Sequence, residues 1–240
     1  MAEMVKIKKL EWLSDFFGVN CGEVITPSKS MKVSKQDLDY YHFLQGKCFK
    51  SDSDSKNWFE ENGFFFEDSR VTFQKSIEAN FKLNPDINIK KATIEDSSEI
   101  QNIATSVMAE HSRFVNLVGE RKTQEFYATW VKNAIVSDFD HLCLSASVNK
   151  KIVGFITLRF VENQKVIIGL IGVKRDYWGL SIAKNMIKYS EDLTSKQGFK
   201  YLEVATEGKN GRAIKFYNKY GFDLKNIENW YYKILNKKNN

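Results

Sequence analysis

With 240 residues, 42% of them hydrophobic, the chain can bury the core of one domain or of two small ones, which excludes a disordered protein. The formal charge of +6 suits nucleic acid and, equally, a phosphorylated small molecule. There is no basic helix with interleaved base-stacking aromatics, no zinc-finger spacing and no RNA-binding signature, so a nucleic-acid partner is not expected. No apolar run approaches the roughly 20 residues of a membrane helix, and the opening MAEMVKIKKLEWLSDFF has no secretory apolar stretch or small-residue cleavage site. Cys21, Cys48 and Cys143 are odd in number and lack metal-ligand spacing, and His42, His111 and His141 are scattered. A cytoplasmic protein without a metal is the expectation.

In chain order, Trp12 to Ile25 alternates loosely around Gly18 and Gly22, and predicts a short strand or hairpin. Tyr40 to Phe49 reads as a strand. A helix starts at one of the Ser or Asp residues of 51–55, ends at Gly63, and gives way to a strand over Phe64 to Phe73. This unit, NWFEENGFFFEDSRVTFQK, parallels KFYNKYGFDLKNIENWYYK near the C-terminus. Either the N-terminal region is a partial copy of the C-terminal arm, or both use a common helix-Gly-Phe-strand joint. Residues Phe81 to Asn88, with Pro85, form the natural linker. The expected domains are therefore 1–86, a smaller α/β subdomain, and 87–240.

The second region begins with a short strand, Ile89 to Thr93, and a helix over Glu95 to Ala109 with Ile100, Ile103, Ala104 and Val107 on one face. Residues Ser112 to Arg121 are irregular. Thr123 to Val136 is a second helix with an aromatic face. Leu142 to Val148 and Ile152 to Phe160 form a hairpin about Asn149-Lys150, and Val166 to Val173 follows as a third strand. A helix, a strand over Tyr201 to Ala205, a helix over Arg212 to Tyr220 closed by Gly221, and a strand over Trp230 to Leu235 complete the chain. The order predicts an α+β fold with a mixed, mostly antiparallel central sheet flanked by helices.

Val166 to Ile187, VIIGLIGVKRDYWGLSIAKNMI, stands out. A buried strand runs into a short loop and then a helix whose first turn is built from small residues. Free N–H groups and the positive dipole end at such a start attract an anion, and small residues let a phosphate approach. By itself the stretch fits a ligand site and an ordinary strand-loop-helix unit equally well.

VKRDYWGLSIA at Val173 to Ala183 and NGRAIKFYNKYGF at Asn210 to Phe222, with this element order between and around them, resemble the GNAT superfamily of N-acetyltransferases. The resemblance covers roughly Ile89 to Leu235. It implies a GNAT fold and an acetyl-CoA donor, without a metal. Trp178, Gly179, Leu180, Ser181, Ile182 and Ala183 would form the pyrophosphate loop. Ile171, Gly172 and Val173 would face the thioester arm, Asn210 would hold that arm, and Tyr217 would be the general acid. The loop departs from the family pattern: Trp178 stands where a basic or amide residue is usual, and Ser181 where glycine is.

Further segments, SDFFGVN at Ser14 to Asn20, SRF at Ser112 to Phe114, FYATWVKNA at Phe126 to Ala134, FDHLCL at Phe139 to Leu144 and VAT at Val204 to Thr206, are similar to a subgroup of the family. That subgroup acetylates the amino group of dTDP-linked 4-amino-4,6-dideoxyhexoses and carries an extra N-terminal region resembling a partial GNAT arm. This implies a nucleotide-sugar partner, direct transfer in a ternary complex, a place in bacterial surface polysaccharide synthesis, and a possible homodimer. Arg113 and Arg159 become candidates for the nucleotide diphosphate. Asp140, His141 and Glu162 become candidates for the base, with His141 also a substrate contact. Open alternatives are a GNAT enzyme acting on a protein N-terminus or another small amine, and a non-catalytic CoA-binding domain.

Overall fold

A computed structural model describes residues 3–25, 27–28, 30–78, 82–138, 140–162 and 164–235. The first elements are β1 (Lys6–Lys9), α1 (Glu11–Phe17), β2 (Cys21–Ile25), α2 (Lys35–Tyr40), β3 (Phe43–Phe49), α3 (Ser53–Glu61) and β4 (Phe65–Ser76). They are followed by β5 (Asn88–Lys91), α4 (Ser97–Met108), α5 (Val115–Val118), α6 (Glu120–Ile135), β6 (Leu142–Val148), β7 (Lys151–Val161) and β8 (Lys165–Val173). Last come α7 (Ile182–Ser195), β9 (Tyr201–Glu207), α8 (Gly211–Lys219) and β10 (Asp223–Ile234).

Two compact units result, and they are not contiguous in sequence. The first gathers residues 1–71, 207–209 and 226–240; the second gathers 72–206 and 210–225. The sequence reading places one cut at 86/87. The C-terminal strand makes the difference, because Glu228–Ile234 of β10 pairs antiparallel with Phe43–Phe49 of β3 and so belongs with the first unit. Of the expected linker, Phe81 lies outside the described residues, and 82–87 form no helix or strand.

In the first unit β1 pairs antiparallel with β2, and β2 pairs parallel with β3. Its core is aromatic: Trp58, Phe59, Phe64 and Tyr231 are buried with Leu44 and Val24. The Phe59 and Tyr231 rings stack at 4.8 Å. Gly46 is required beneath them, since a Cβ there would lie 2.4 Å from the Phe59 ring. Residues Trp12 to Ile25, expected as strand or hairpin, divide into helix α1 and strand β2, joined by Gly18 at φ 66°.

In the second unit the sheet order is β9-β8-β7-β6-β5, with β5, β6, β7 and β8 antiparallel in turn and β9 parallel to β8. The β6–β7 hairpin turns on Asn149 and Lys150, both at positive φ, as a two-residue hairpin requires. Successive residues of β7 point to opposite faces. A Cβ on Gly154 would meet Ile182 and Met186 of α7, while the Phe155 ring lies on the side of Val107 and Met108 of α4. Helices thus cover both faces, and residues 153–158 of β7 are buried without alternation. Fold class and sheet character are as the sequence implies: a GNAT-type α+β unit.

The arms β3-α3-β4 and β9-α8-β10 match residue for residue. Phe43 corresponds to Tyr201, Gly63 to Gly221, and Ser76 to Ile234. Both helices are capped by an acceptor side chain, Asp52 receiving the Ser55 N–H at 3.0 Å and Asn210 the Ala213 N–H at 3.1 Å. Both close on a left-handed glycine followed by a buried Phe. The Phe64 N–H returns to the Phe59 carbonyl, and the Phe222 N–H to that of Tyr217. At the position of Tyr217, then, the first arm carries Phe59.

Candidate active site

The site is built where β8 leaves its neighbour. Pairing with β9 ends at Ile168 opposite Val204, although β8 continues to Val173. Just beyond that point Gly169 and Leu170 together oppose Thr157 of β7, so β8 bulges there. The bulge is held by side chains. Thr157 Oγ1 accepts the Leu170 N–H at 2.9 Å and donates to the buried Asp140 carboxylate at 2.6 Å, and the Trp130 indole donates to the same oxygen at 3.0 Å. Gly169 is obligatory, because a Cβ there would fall 2.3 Å from Asp140 Oδ2.

Along a strand, N–H groups alternate in direction. Those of Leu170 and Lys174 point toward β7. Those of Ile171 and Val173 therefore face the side that β9 has vacated. The Gly172 N–H, between them, is turned toward β7. The free edge is where an amide-bearing arm can pair as an added strand.

Beyond Val173, a single turn of 3-10 helix (Arg175–Tyr177) leads to Trp178, Gly179 at φ 83° and Ser181 at φ 60°. Helix α7 then begins at Ile182. Ser181 caps it without a side-chain hydrogen bond, which leaves the first-turn N–H groups directed outward. The Trp178 indole donates to the Val173 carbonyl at 2.8 Å, pinning the loop to the strand end. Its ring carries the Arg212 guanidinium 3.2 Å from the centroid, and the Arg175 guanidinium at 5.5 Å.

These parts line one cleft of ≈ 550 Å³ in the second unit. Of the residues expected to bind the donor, Ile171, Gly172, Val173, Trp178, Gly179, Ser181, Ile182, Ala183 and Asn210 all line it, as does Tyr217. Leu180 does not, and it is 55% exposed. Asn210 spends its Oδ1 on capping α8, so only its Nδ2 is left for a ligand.

Tyr217 is buried among Phe73, Phe216 and Phe222, with ring centroids 5.4–5.6 Å apart. Its hydroxyl has no hydrogen-bond partner among the described residues. Burial pushes the phenol above its usual range, so it stays protonated at neutral pH and can only donate.

Three expected substrate contacts lie elsewhere: Arg113 packs over the Phe114 ring, His141 Nδ1 accepts the Phe160 N–H at 3.1 Å, and Arg159 is on β7. None lines the cleft. Sequence reasoning missed Glu110, His111, Arg175, Lys184, Arg212 and Lys219, which do. Glu110 grips Arg175 at 2.6 Å. Four of these six side chains are cationic, so the cleft is biased toward a polyanion. The only available signal was position: Arg175 and Arg212 sit inside the two motifs, and Glu110 and His111 follow directly on α4.

Elsewhere, burial pushes the Cys21 and Cys48 thiols up to about 11 and Cys143 to about 12, which keeps them unreactive. Among the described residues no group of three His, Cys, Asp or Glu side chains could hold a metal ion, and no helix is long and apolar enough to cross a membrane.

Residues 105–222, which span the cleft, match the model of the Acetyltransferase (GNAT) family. The chain carries a GNAT acetyltransferase domain. It is accordingly an acetyltransferase. Over 234 residues, 97% of this chain and 100% of the relative, it is 23% identical to dTDP-fucosamine acetyltransferase of Escherichia coli. A functionally unknown conserved protein from Staphylococcus epidermidis shares the fold at TM-score 0.64 and 15% identity, covering 90% of this chain and 84% of that one. The PaiA N-acetyltransferase from Thermoplasma acidophilum, solved in complex with coenzyme A, superposes at TM-score 0.51 and 21% identity, covering 60% of this chain and 97% of that one. The GNAT domain thus takes in the released strand edge, the open helix start and Tyr217.

Proposed function

We propose that the protein is an acetyl-CoA-dependent N-acetyltransferase acting on the amino group of a nucleotide-linked amino-deoxysugar, of the dTDP-4-amino-4,6-dideoxyhexose kind, in bacterial surface polysaccharide synthesis. The observation that carries the donor half is the meeting, in one cationic cleft, of the free β8 edge, the uncapped α7 start and the unpartnered Tyr217 hydroxyl. The acceptor half is supported by similarity to dTDP-fucosamine acetyltransferase running the length of both chains, including the N-terminal unit.

In this reading the first-turn N–H groups of α7 receive the donor's diphosphate, and the β8 edge pairs with its amide arm. The Ile171 and Val173 N–H groups hold the thioester oxygen and its developing negative charge. The neutral amine forms the C–N bond, the C–S bond breaks, and Tyr217 gives its phenolic proton to the departing sulfur. The amine's own proton leaves through His111 or water; His111 lines the cleft on the segment after α4.

A thiol-release assay with acetyl-CoA tests the proposal against dTDP- and UDP-linked amino sugars, a polyamine and a peptide with a free N-terminus. Turnover fastest with a dTDP-4-amino sugar is expected. A preference for the peptide or polyamine would remove the sugar assignment, and no thiol release with any acceptor would remove the catalytic one.

A further inference from the structure

The loop that opens α7 lacks the side chain its motif calls for. At the position usually basic or amide stands Trp178, whose indole cannot neutralise a phosphate. The structure shows what has been built around it. The indole N–H is committed to the Val173 carbonyl at 2.8 Å, so the ring is fixed as a platform rather than swinging into the cleft. On that platform lies the Arg212 guanidinium, 3.2 Å from the ring centroid. Arg212 comes from the first turn of α8, a different element, and it lines the same cleft as Gly179 and Ser181. Arg175, also near the ring, is already held by Glu110 at 2.6 Å, whereas Arg212 has no carboxylate partner among the described residues.

Stacking on an aromatic face orients a guanidinium while leaving its edge N–H groups free. Those groups form a planar fork suited to phosphate oxygens, and they sit beside the helix start whose N–H groups already favour an anion. We infer that Arg212, presented on the Trp178 ring, is the phosphate-binding side chain of the donor site, taking over from the motif position that Trp178 has vacated. Trp178 is a positioning residue, acting through Arg212. The inference rests on the donor site described under Proposed function and names which side chain reads the phosphates in it.

Titration calorimetry on the full chain tests it, using CoA and phosphate-free pantetheine as ligands, on wild type, Arg212→Gln, Trp178→Phe and Trp178→Ala. Losing a charged hydrogen-bond partner of a phosphate weakens binding by roughly tenfold or more. Arg212→Gln should weaken CoA by that factor and leave pantetheine unchanged. Trp178→Phe, which keeps an aromatic face, should stay near wild type, and Trp178→Ala should follow Arg212→Gln. Wild-type CoA affinity in Arg212→Gln would overturn the inference while leaving the donor site standing. Equal losses for CoA and pantetheine would also overturn it, by making the effect structural. No CoA binding by the wild type would overturn the donor site itself and the inference with it.

Discussion

At the scale of single residues, the two matching arms differ by one hydroxyl at the buried aromatic position near the end of their helices. Phe59 and Tyr217 hold the same place in equivalent helices, both buried under aromatic neighbours, but only Tyr217 carries a proton to donate and lines a cleft. Because burial raises its phenol, the donor remains loaded through neutral and mildly alkaline pH. Tyr217→Phe should lower kcat by about a hundredfold or more, the usual worth of a general acid, while calorimetry finds CoA affinity within about twofold of wild type. Unchanged kcat would take Tyr217 out of the chemistry. Tyr217 stands out in the sequence only through the resemblance its motif carries, and the structure places it on the cleft. Arg212 lies in the same motif without standing out, because its place comes from stacking on Trp178, a contact between residues far apart in sequence. Arg113 and Arg159 are read from the affinity of arginine for a diphosphate and His141 from a strand end, and a linear pattern does not show which of them face the cleft.

At the scale of elements, the α7 start and the β8 bulge carry the site. Ser181 takes left-handed backbone angles, φ 60° and ψ 18°, that glycine adopts without penalty. Ser181→Gly should raise stability by about 0.5–1 kcal/mol, a Tm increase of about 1–4 °C by calorimetry. A drop in Tm would mean that the serine hydroxyl contributes a bond outweighing the strain. Strand β9 supplies a second case. Glu203 is buried, which pulls its carboxyl upward, but Lys225 at 2.6 Å and Lys165 at 3.4 Å prevail and the net shift is downward. A depressed folded value means stability that is present above the unfolded carboxyl range and lost as pH falls from there through the lower folded value. Glu203→Gln should therefore cost roughly 1–2 kcal/mol in urea melts at pH 7, and the difference should shrink below about pH 4. An equal cost at both pH values would contradict the assignment. Most helices and strands of the second unit were readable, since their apolar periods are long and sharply bounded. Helix α1 was not: it buries only Leu13 and Ser14, and its aromatics Trp12 and Phe16 stack on each other at 5.9 Å outside that core. The sequence shows only the end of β10 because Asp223 to Asn229 is mostly polar and no residue there is buried, the buried aromatic run starting only at Trp230.

At the scale of the molecule, chain order misleads about domain boundaries. A cut at 86/87 looks natural from composition, yet β10 carries buried Trp230, Tyr231 and Tyr232 to a partner, β3, that the cut would remove. A fragment of 87–240 should expose that strand edge and its aromatics, and aggregate where the full chain stays monodisperse by light scattering. A monomeric, cooperatively folding fragment would show that β3 is dispensable. Which strands of a non-contiguous unit pair is set by long-range register, and register is not written in any local pattern.

The central claim is that a thioester donor lies along the β8 edge with its diphosphate on the start of α7. Backbone hydrogen exchange of the full chain, with and without saturating CoA, tests that placement at residue resolution. Slowed exchange is expected at the Ile171 and Val173 amides and at those of the Gly179–Ala183 loop, with His141 and Arg159 unaffected. CoA binding that leaves those amides exchanging at their free rate would contradict the account.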